Sequence, residues 1–151
     1  MAITSAIANS FKQEILVGTH NFTASSGHTF KIALIKANAS QSGTYNASTT
    51  NYSVVTGNSD ELANGSGYTT GGNTLTSVTP VLDGSTAVCD FANTSWSSAT
   101  FTTRGCIIYN TSASNKAVMV LDFGADYSVS NGTFTVEFPT ANASNAIIRI
   151  S

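Results

Sequence analysis

The recurrence of large apolar side chains at every second position is the feature that most restricts how this chain can fold. Every second residue from Phe30 to Leu34 is large and apolar, and the same holds from Phe134 to Phe138. Successive side chains of a β-strand point to opposite faces, so this period buries one face of a strand and leaves the other in water. The pattern is typical of antiparallel sheets with one solvated face.

Eight segments rich in Thr, Val, Ile and Phe, separated by Gly, Asn, Asp and Ser, predict strands. They are residues 29–36, 74–82, 86–91, 100–103, 106–109, 117–123, 133–138 and 146–150. Asp83-Gly84 and Asn131-Gly132 predict two-residue hairpins. Residues 110–115 predict a polar connector, and Gly124 a turn between solvated aspartates. We expect one mainly β domain over residues 1–151, an antiparallel β-sandwich or barrel-like fold of about eight strands.

Residues 5–17 predict an N-terminal amphipathic helix. Ser5 can cap its start, and Gly18 is placed to end it. Its apolar stripe consists of Ile7, Phe11 and Ile15, spaced every four residues. An exposed stripe of this size favours aggregation, so we expect it to pack on the sheet or on another subunit.

Residues 37–72 contain six glycines and few strand signals, which predicts a long irregular excursion. Long loops in compact domains are often functional contacts. A short helical turn is predicted over residues 60–63, where Asp60 and Glu61 would place negative charge in its first turn.

Charged residues make up only 9% of the chain, and the six cations are scattered singly. Without a basic cluster to neutralise phosphates, nucleic acid is not an expected partner.

The first 17 residues lack a basic start and a continuous apolar run, so neither a secretion signal nor a membrane span is expected. Nine Asn-x-Ser/Thr triplets match the acceptor pattern for N-glycosylation. Their number follows mainly from the 43 Ser and Thr residues of the chain, so glycosylation is not expected. Cys89 and Cys106 are expected to be free thiols.

No residue pattern predicts catalysis or a bound cofactor. His20 and His28 flank a loop with Ser25, but no G-x-S-x-G elbow is present. The glycine-rich stretches at residues 65–67 and 71–72 are not followed by the lysine of a phosphate-binding loop. Two carboxylates, Asp122 and Asp126, are too few to predict a metal site. We therefore expect no catalytic, cofactor or metal residues.

A carbohydrate-binding module is the main alternative from another class. Five aromatic residues lie in or near predicted loops, where a ring could stack on a sugar: Trp96, Tyr45, Tyr52, Tyr68 and Tyr127. Trp96 and Tyr68 are the two expected to contact a ligand or partner. Trp96 precedes a strand, however, and a core or sheet-edge position is the more common one for such a residue.

Three stretches carry a resemblance to known proteins. Residues 1–16 (MAITSAIANSFKQEIL), 96–110 (WSSATFTTRGCIIYN) and 132–139 (GTFTVEFP) resemble small virion structural proteins of tailed bacteriophages. The resemblance implies a place in a virion assembled in the host bacterial cytoplasm. It implies a capsid decoration or cement protein, a homo-oligomer whose partners are the major capsid protein or other virion proteins. A tail, baseplate or fibre component is the alternative within the virion.

Overall fold

The computed structural model describes residues 2–151 and contains eight strands and two short helices. The strands are β1 (Ala6–Ile7), β2 (Phe30–Lys36), β3 (Asn73–Thr74), β4 (Ser77–Asp83), β5 (Thr86–Phe91), β6 (Thr94–Asn110), β7 (Lys116–Val136) and β8 (Ile148–Ile150). The helices are α1 (Asn9–Leu16) and α2 (Ser53–Gly57), with 3₁₀ turns at Asn38–Ser40 and Thr111–Ala113.

The strands form two antiparallel sheets that share one apolar core. The larger sheet has the order β1-β7-β6-β2-β3, and the smaller has the order β4-β5-β8. Phe30 of β2 and Phe91 of β5 meet between the sheets with ring centroids 5.6 Å apart, and Phe22 stacks on Phe30 at 4.3 Å. The predicted fold class, a mainly β sandwich-like domain with one helix near its N-terminus, is confirmed.

Two long strands replace four of the predicted short ones. Strand β6 runs through residues 100–103 and 106–109 without a break, and β7 runs from residue 116 to residue 136. The predicted Asp83-Gly84 hairpin is confirmed, because it joins β4 to β5. The predicted Asn131-Gly132 hairpin is wrong. Asn131 instead adopts a φ of 47° at a bulge inside β7, where its N–H donates to Thr100 Oγ1.

Residues 123–126 bulge out of β7 opposite Arg104, at a φ of +85° for Gly124. The predicted turn at Gly124 is therefore a bulge, where Asp126 is exposed as predicted and Asp122 is half-buried. Both aspartates are held at the bulge. Asp122 pairs with Arg104 at 2.7 Å, and Asp126 accepts a hydrogen bond from the Asn38 N–H at 3.0 Å.

The N-terminal helix is shorter than predicted. It begins at Asn9, because the residues before it pair with other parts of the chain in extended conformation. Ser5 does not cap it. The Ser5 Oγ accepts a hydrogen bond from the Asp122 N–H, and Ile7 lies in β1 opposite Met119. Within the predicted stripe Phe11 is buried, while Ile7 and Ile15 are half-buried against the core. Before residue 9, pairing with β7 determines the conformation of the chain, although the sequence there has a helical period.

The 37–72 excursion is irregular, as predicted, but it is firmly packed. Tyr45, Val55 and Leu62 are buried in the common core. The predicted helical turn at residues 60–63 is wrong, because this stretch runs extended along the edge of β2. The Lys36 N–H donates to the Asp60 carbonyl, and the Leu62 N–H donates to the Leu34 carbonyl.

Candidate functional site

An apolar groove of about 510 Å³ lies beside the outer half of β7. We call it the β7 groove. Its residues come from β7 and from the segment that follows it. They are Met119, Leu121, Asp122, Phe123, Tyr127, Phe134, Thr135, Val136, Glu137, Phe138, Pro139, Ala146 and Ile147. The two parts of the chain meet because β8 returns to pair with β5 in the opposite sheet.

Aromatic side chains that contact one another form the wall of the β7 groove. The Phe123 ring lies 6.0 Å from Phe134 and 6.4 Å from Tyr127, and Phe134 packs edge-on against Phe101 at 5.6 Å. Tyr127 is 49% exposed, so its ring is available to a partner. Aromatic residues held in place by their neighbours are enriched in protein interfaces, because they bury area at little entropic cost.

Charges lie only at the rim of the β7 groove. The Arg104 guanidinium, hydrogen-bonded to Asp122, holds the pKa of that carboxyl below its usual value despite its partial burial, and the Gly124 N–H adds to the effect. Asp126 lies 3.9 Å from the same guanidinium, and Glu137 is exposed. Three carboxylates against one cation leave the rim with two negative charges.

The backbone of β7 adds hydrogen-bonding groups beside this groove. In the described residues, β1 pairs with β7 only at Met119 and Val120, Ser5 Oγ binds the Asp122 backbone, and no strand covers the same edge from residue 123 to residue 136. An uncovered edge presents N–H and C=O groups to any extended segment that approaches it.

Asp60 is the most buried carboxylate, and it is fully engaged within the excursion. It accepts hydrogen bonds from the Tyr45 hydroxyl at 2.6 Å and from the N–H groups of Ser42 and Gly43. Burial opposes ionisation, but these donors outweigh it and lower the pKa of Asp60 below its usual value. Burial and the neighbouring carboxylate raise the pKa of Tyr45. Asp60 therefore acts as an anion that ties the excursion together.

Glu61 ties down the other end of the excursion. Its carboxylate accepts hydrogen bonds from the hydroxyls of Tyr52 and Tyr68 and from the Gly71 N–H. Tyr52 stacks on Tyr109 of β6 at 4.3 Å, so this cluster also fixes the excursion to the larger sheet. Burial, followed by hydrogen bonding to Glu61, raises the pKa of Tyr52 and Tyr68. Neither of these two tyrosine hydroxyls is available to donate a proton to a substrate near neutral pH.

His20 and Glu14 resemble a catalytic pair but are saturated with structural contacts. His20 Nε2 lies 2.7 Å from Glu14, and the Asn110 amide donates to Nδ1 of both His20 and His28. The Asn110 amide orientation is set by its oxygen, which accepts from the Ser112 N–H. Nδ1 of His20 is then an acceptor and Nε2 carries the proton, so this ring has no free nitrogen to act as a base.

Glu14 also receives Lys116 Nζ at 2.9 Å. Burial raises the cost of its charge, yet the hydrogen bonds from His20 and Lys116 hold its pKa below the usual value. Among residues 2–151 no serine hydroxyl is hydrogen-bonded to either histidine, and no group of three or more His, Cys, Asp or Glu side chains could hold a metal ion.

Of the aromatic residues considered for sugar stacking, three are buried, Tyr52 is half-buried and Tyr127 is exposed; the buried ones are Tyr45, Tyr68 and Trp96. Trp96 is 3% exposed and Tyr68 is 2% exposed, with ring centroids 6.3 Å apart. Neither ring can stack on a ligand without unfolding its surroundings, because strand β6 turns Trp96 towards the core and Glu61 holds Tyr68. Sequence reasoning missed the β7 groove, for which the available signal was a stretch rich in aromatic residues without a lysine or arginine between Lys116 and Arg149.

The two cysteines lie in different sheets, Cys89 in β5 and Cys106 in β6, and both are free and buried. Burial raises the pKa of Cys89 to about 12 and raises that of Cys106 as well. A protonated, buried thiol is a poor nucleophile.

Comparisons with known proteins give no relative. No family model matches the chain, and neither a curated protein nor a solved structure matches it. Within the described residues, both helices are too short to cross a bilayer.

Proposed function

We propose that this chain is a non-enzymatic bacteriophage virion protein that decorates the capsid and stabilises its lattice. The observation that carries the proposal is the β7 groove, an apolar aromatic surface left open on a domain with very few charges. Such surfaces on soluble domains mark sites of protein contact. The sequence resemblance to small virion proteins supplies the setting for that contact.

The state of the ionisable groups supports a role without catalysis. Asp60, Glu61 and Glu14 each accept hydrogen bonds from several donors, and each joins separate parts of the chain. Catalytic acids and bases need a proton that can move to a substrate, and their pKa values are tuned towards the working pH. Here the contacts of Asp60 and Glu14 lower the pKa, which keeps these carboxylates charged and structural.

A low charge also suits dense packing of many copies. Ser, Thr and Asn provide neutral hydrogen bonds that salt screens little, and few ions need to be desolvated when the surfaces meet. The excursion adds rigidity, because the Asp60 cluster ties its parts together and the Glu61 cluster fixes it to the larger sheet. A rigid body loses little conformational entropy when it binds across neighbouring capsid subunits.

Heat-induced genome release tests the proposal. A protein that binds the closed lattice better than the disrupted one stabilises it by about 2.7 kcal/mol per site at 100 times its dissociation constant. Particles from a deletion mutant should release their genome at a lower temperature than particles that carry the protein. Adding the purified protein back should restore the difference.

Two outcomes would contradict this role. Normal heat resistance combined with blocked tail assembly or host adsorption would place the protein in the tail, baseplate or fibre. Normal particles together with specific glycan binding by the purified chain would favour the carbohydrate-binding alternative.

A further inference from the structure

A second apolar surface lies on the smaller sheet, at the end where β4 turns into β5. Leu82, Ala87 and Ile150 are directly paired across β4, β5 and β8, so their side chains form one row on the same face. Leu82 is 73% exposed and Ile150 is 57% exposed. We call this row, together with Leu16, the apolar patch.

Helix α1 extends the apolar patch at its end. Ile15 lines a small apolar cleft with Ala87 and Ile150, and the next residue, Leu16, is 85% exposed. A residue this large and this exposed gains hydrophobic stabilisation only when a partner covers it. The β7 groove and the apolar patch are thus two open apolar surfaces on the same molecule.

The charges around the two surfaces are opposite in sign. Lys12 lies one helical turn before Leu16, on the same side of α1, so it borders the apolar patch. Asp83 and Arg149 are the strand neighbours of Leu82 and Ile150, so their side chains lie on the opposite face of the smaller sheet, where both hydrogen-bond to the Ala143 backbone. Lys12 therefore leaves the apolar patch with one positive charge, whereas the rim of the β7 groove carries two negative charges. The protein offers an acidic-rimmed groove and an apolar patch with one bordering cation.

We propose that the β7 groove of one copy receives the apolar patch of a second copy. Like-with-like pairing would instead place two acidic rims or two bordering lysines against each other, which is unfavourable. Contact between two different surfaces joins copies in a closed dimer or ring, and the rotation between the copies sets their number. This proposed contact between two copies goes beyond capsid binding, and its test uses the purified chain. Its failure would therefore leave the result of the heat-release experiment unaffected.

Paired variants measure this contact in sedimentation velocity over a wide range of protein concentrations. Leu82→Asp places an acid against the acidic groove, and Tyr127→Lys places a cation against the patch that Lys12 borders. Each should weaken self-association about tenfold or more. Val81→Asp is the matched control for the first, because Val81 is 59% exposed on the opposite face of the same strand. Thr133→Lys, at an exposed position of β7 outside the groove, is the control for the second.

An equimolar mixture of Leu82→Asp and Tyr127→Lys decides which surfaces meet. The first variant keeps an intact groove and the second an intact patch, so the mixture should form one-to-one complexes that neither forms alone. Unchanged circular dichroism and melting temperature establish that both variants fold. A wild-type chain that stays monomeric at every concentration, or variants that associate like wild type, would overturn the proposal. A mixture that stays monomeric while wild type associates would show that identical surfaces pair.

Discussion

Removal of the Asp60 carboxylate should be the most damaging single change in the excursion. Asp60→Ala leaves three donors without their acceptor, namely the N–H groups of Ser42 and Gly43 and the hydroxyl of Tyr45. A buried donor left unsatisfied costs about 1–3 kcal/mol. The two backbone groups lie near the surface and belong at the lower end of that range, whereas Tyr45 is fully buried. The expected loss in the free energy of unfolding is about 3–6 kcal/mol.

This loss is large compared with the total stability of about 5–15 kcal/mol that is common for a domain. Urea denaturation followed by circular dichroism measures it directly. Asp126→Ala is the matched control, because Asp126 is exposed and accepts one N–H from Asn38. The control should lose less than about 1 kcal/mol. A loss below about 1 kcal/mol for Asp60→Ala would show that the carboxylate does not anchor the excursion.

Three further predictions follow from the core and from the titrating groups. Phe11→Ala should lower the free energy of unfolding by about 3–5 kcal/mol, measured in urea, because Phe11 is 2% exposed; an unchanged midpoint would contradict this. Cys89 and Cys106 should resist alkylation in the native protein, and both should be labelled in denaturant without reductant; two unlabelled cysteines would indicate a disulfide. Asp60 and Glu14 have pKa values below those of the unfolded chain, so their stabilisation is complete above about pH 5 and is lost as the pH falls through the lower native pKa values. Stability that does not fall on acidification would refute this assignment.

Local patterns in the sequence predicted the elements whose formation depends on neighbouring residues. The alternation from Phe134 to Phe138 and the Asp83-Gly84 turn needed no distant contact, and both are present in the structure. The solvated face predicted for β2 is wrong, because Ala33 and Ile35 are buried as fully as the side chains of the opposite face. The Asn131-Gly132 turn was wrong, because a bulge places Asn131 in the same positive-φ region within a longer strand. A short turn motif cannot distinguish a hairpin from a bulge when the partner strand is more than twenty residues away.

Sequence patterns could not predict the carboxylate clusters of the excursion or the β7 groove, for a related reason. Asp60 and Glu61 look like surface charges, and only the fold brings the hydroxyls of Tyr45, Tyr52 and Tyr68 to them. The β7 groove likewise joins residues 119–139 to residues 146–147, which belong to parts of the chain that meet through different sheets. Periodicity correctly assigned apolar faces to these strands, but it does not reveal where the opposite layer stops covering them.

The copy number of the protein in purified particles tests the proposed role most directly. Quantified gel bands or mass spectrometry would give its ratio to the major capsid protein of the virus that encodes it. A decoration protein follows the symmetry of the capsid lattice, so the expected number is on the order of hundreds of copies per particle. A few copies or a few dozen would contradict capsid decoration and indicate a tail component, and complete absence from the particle would refute a virion role.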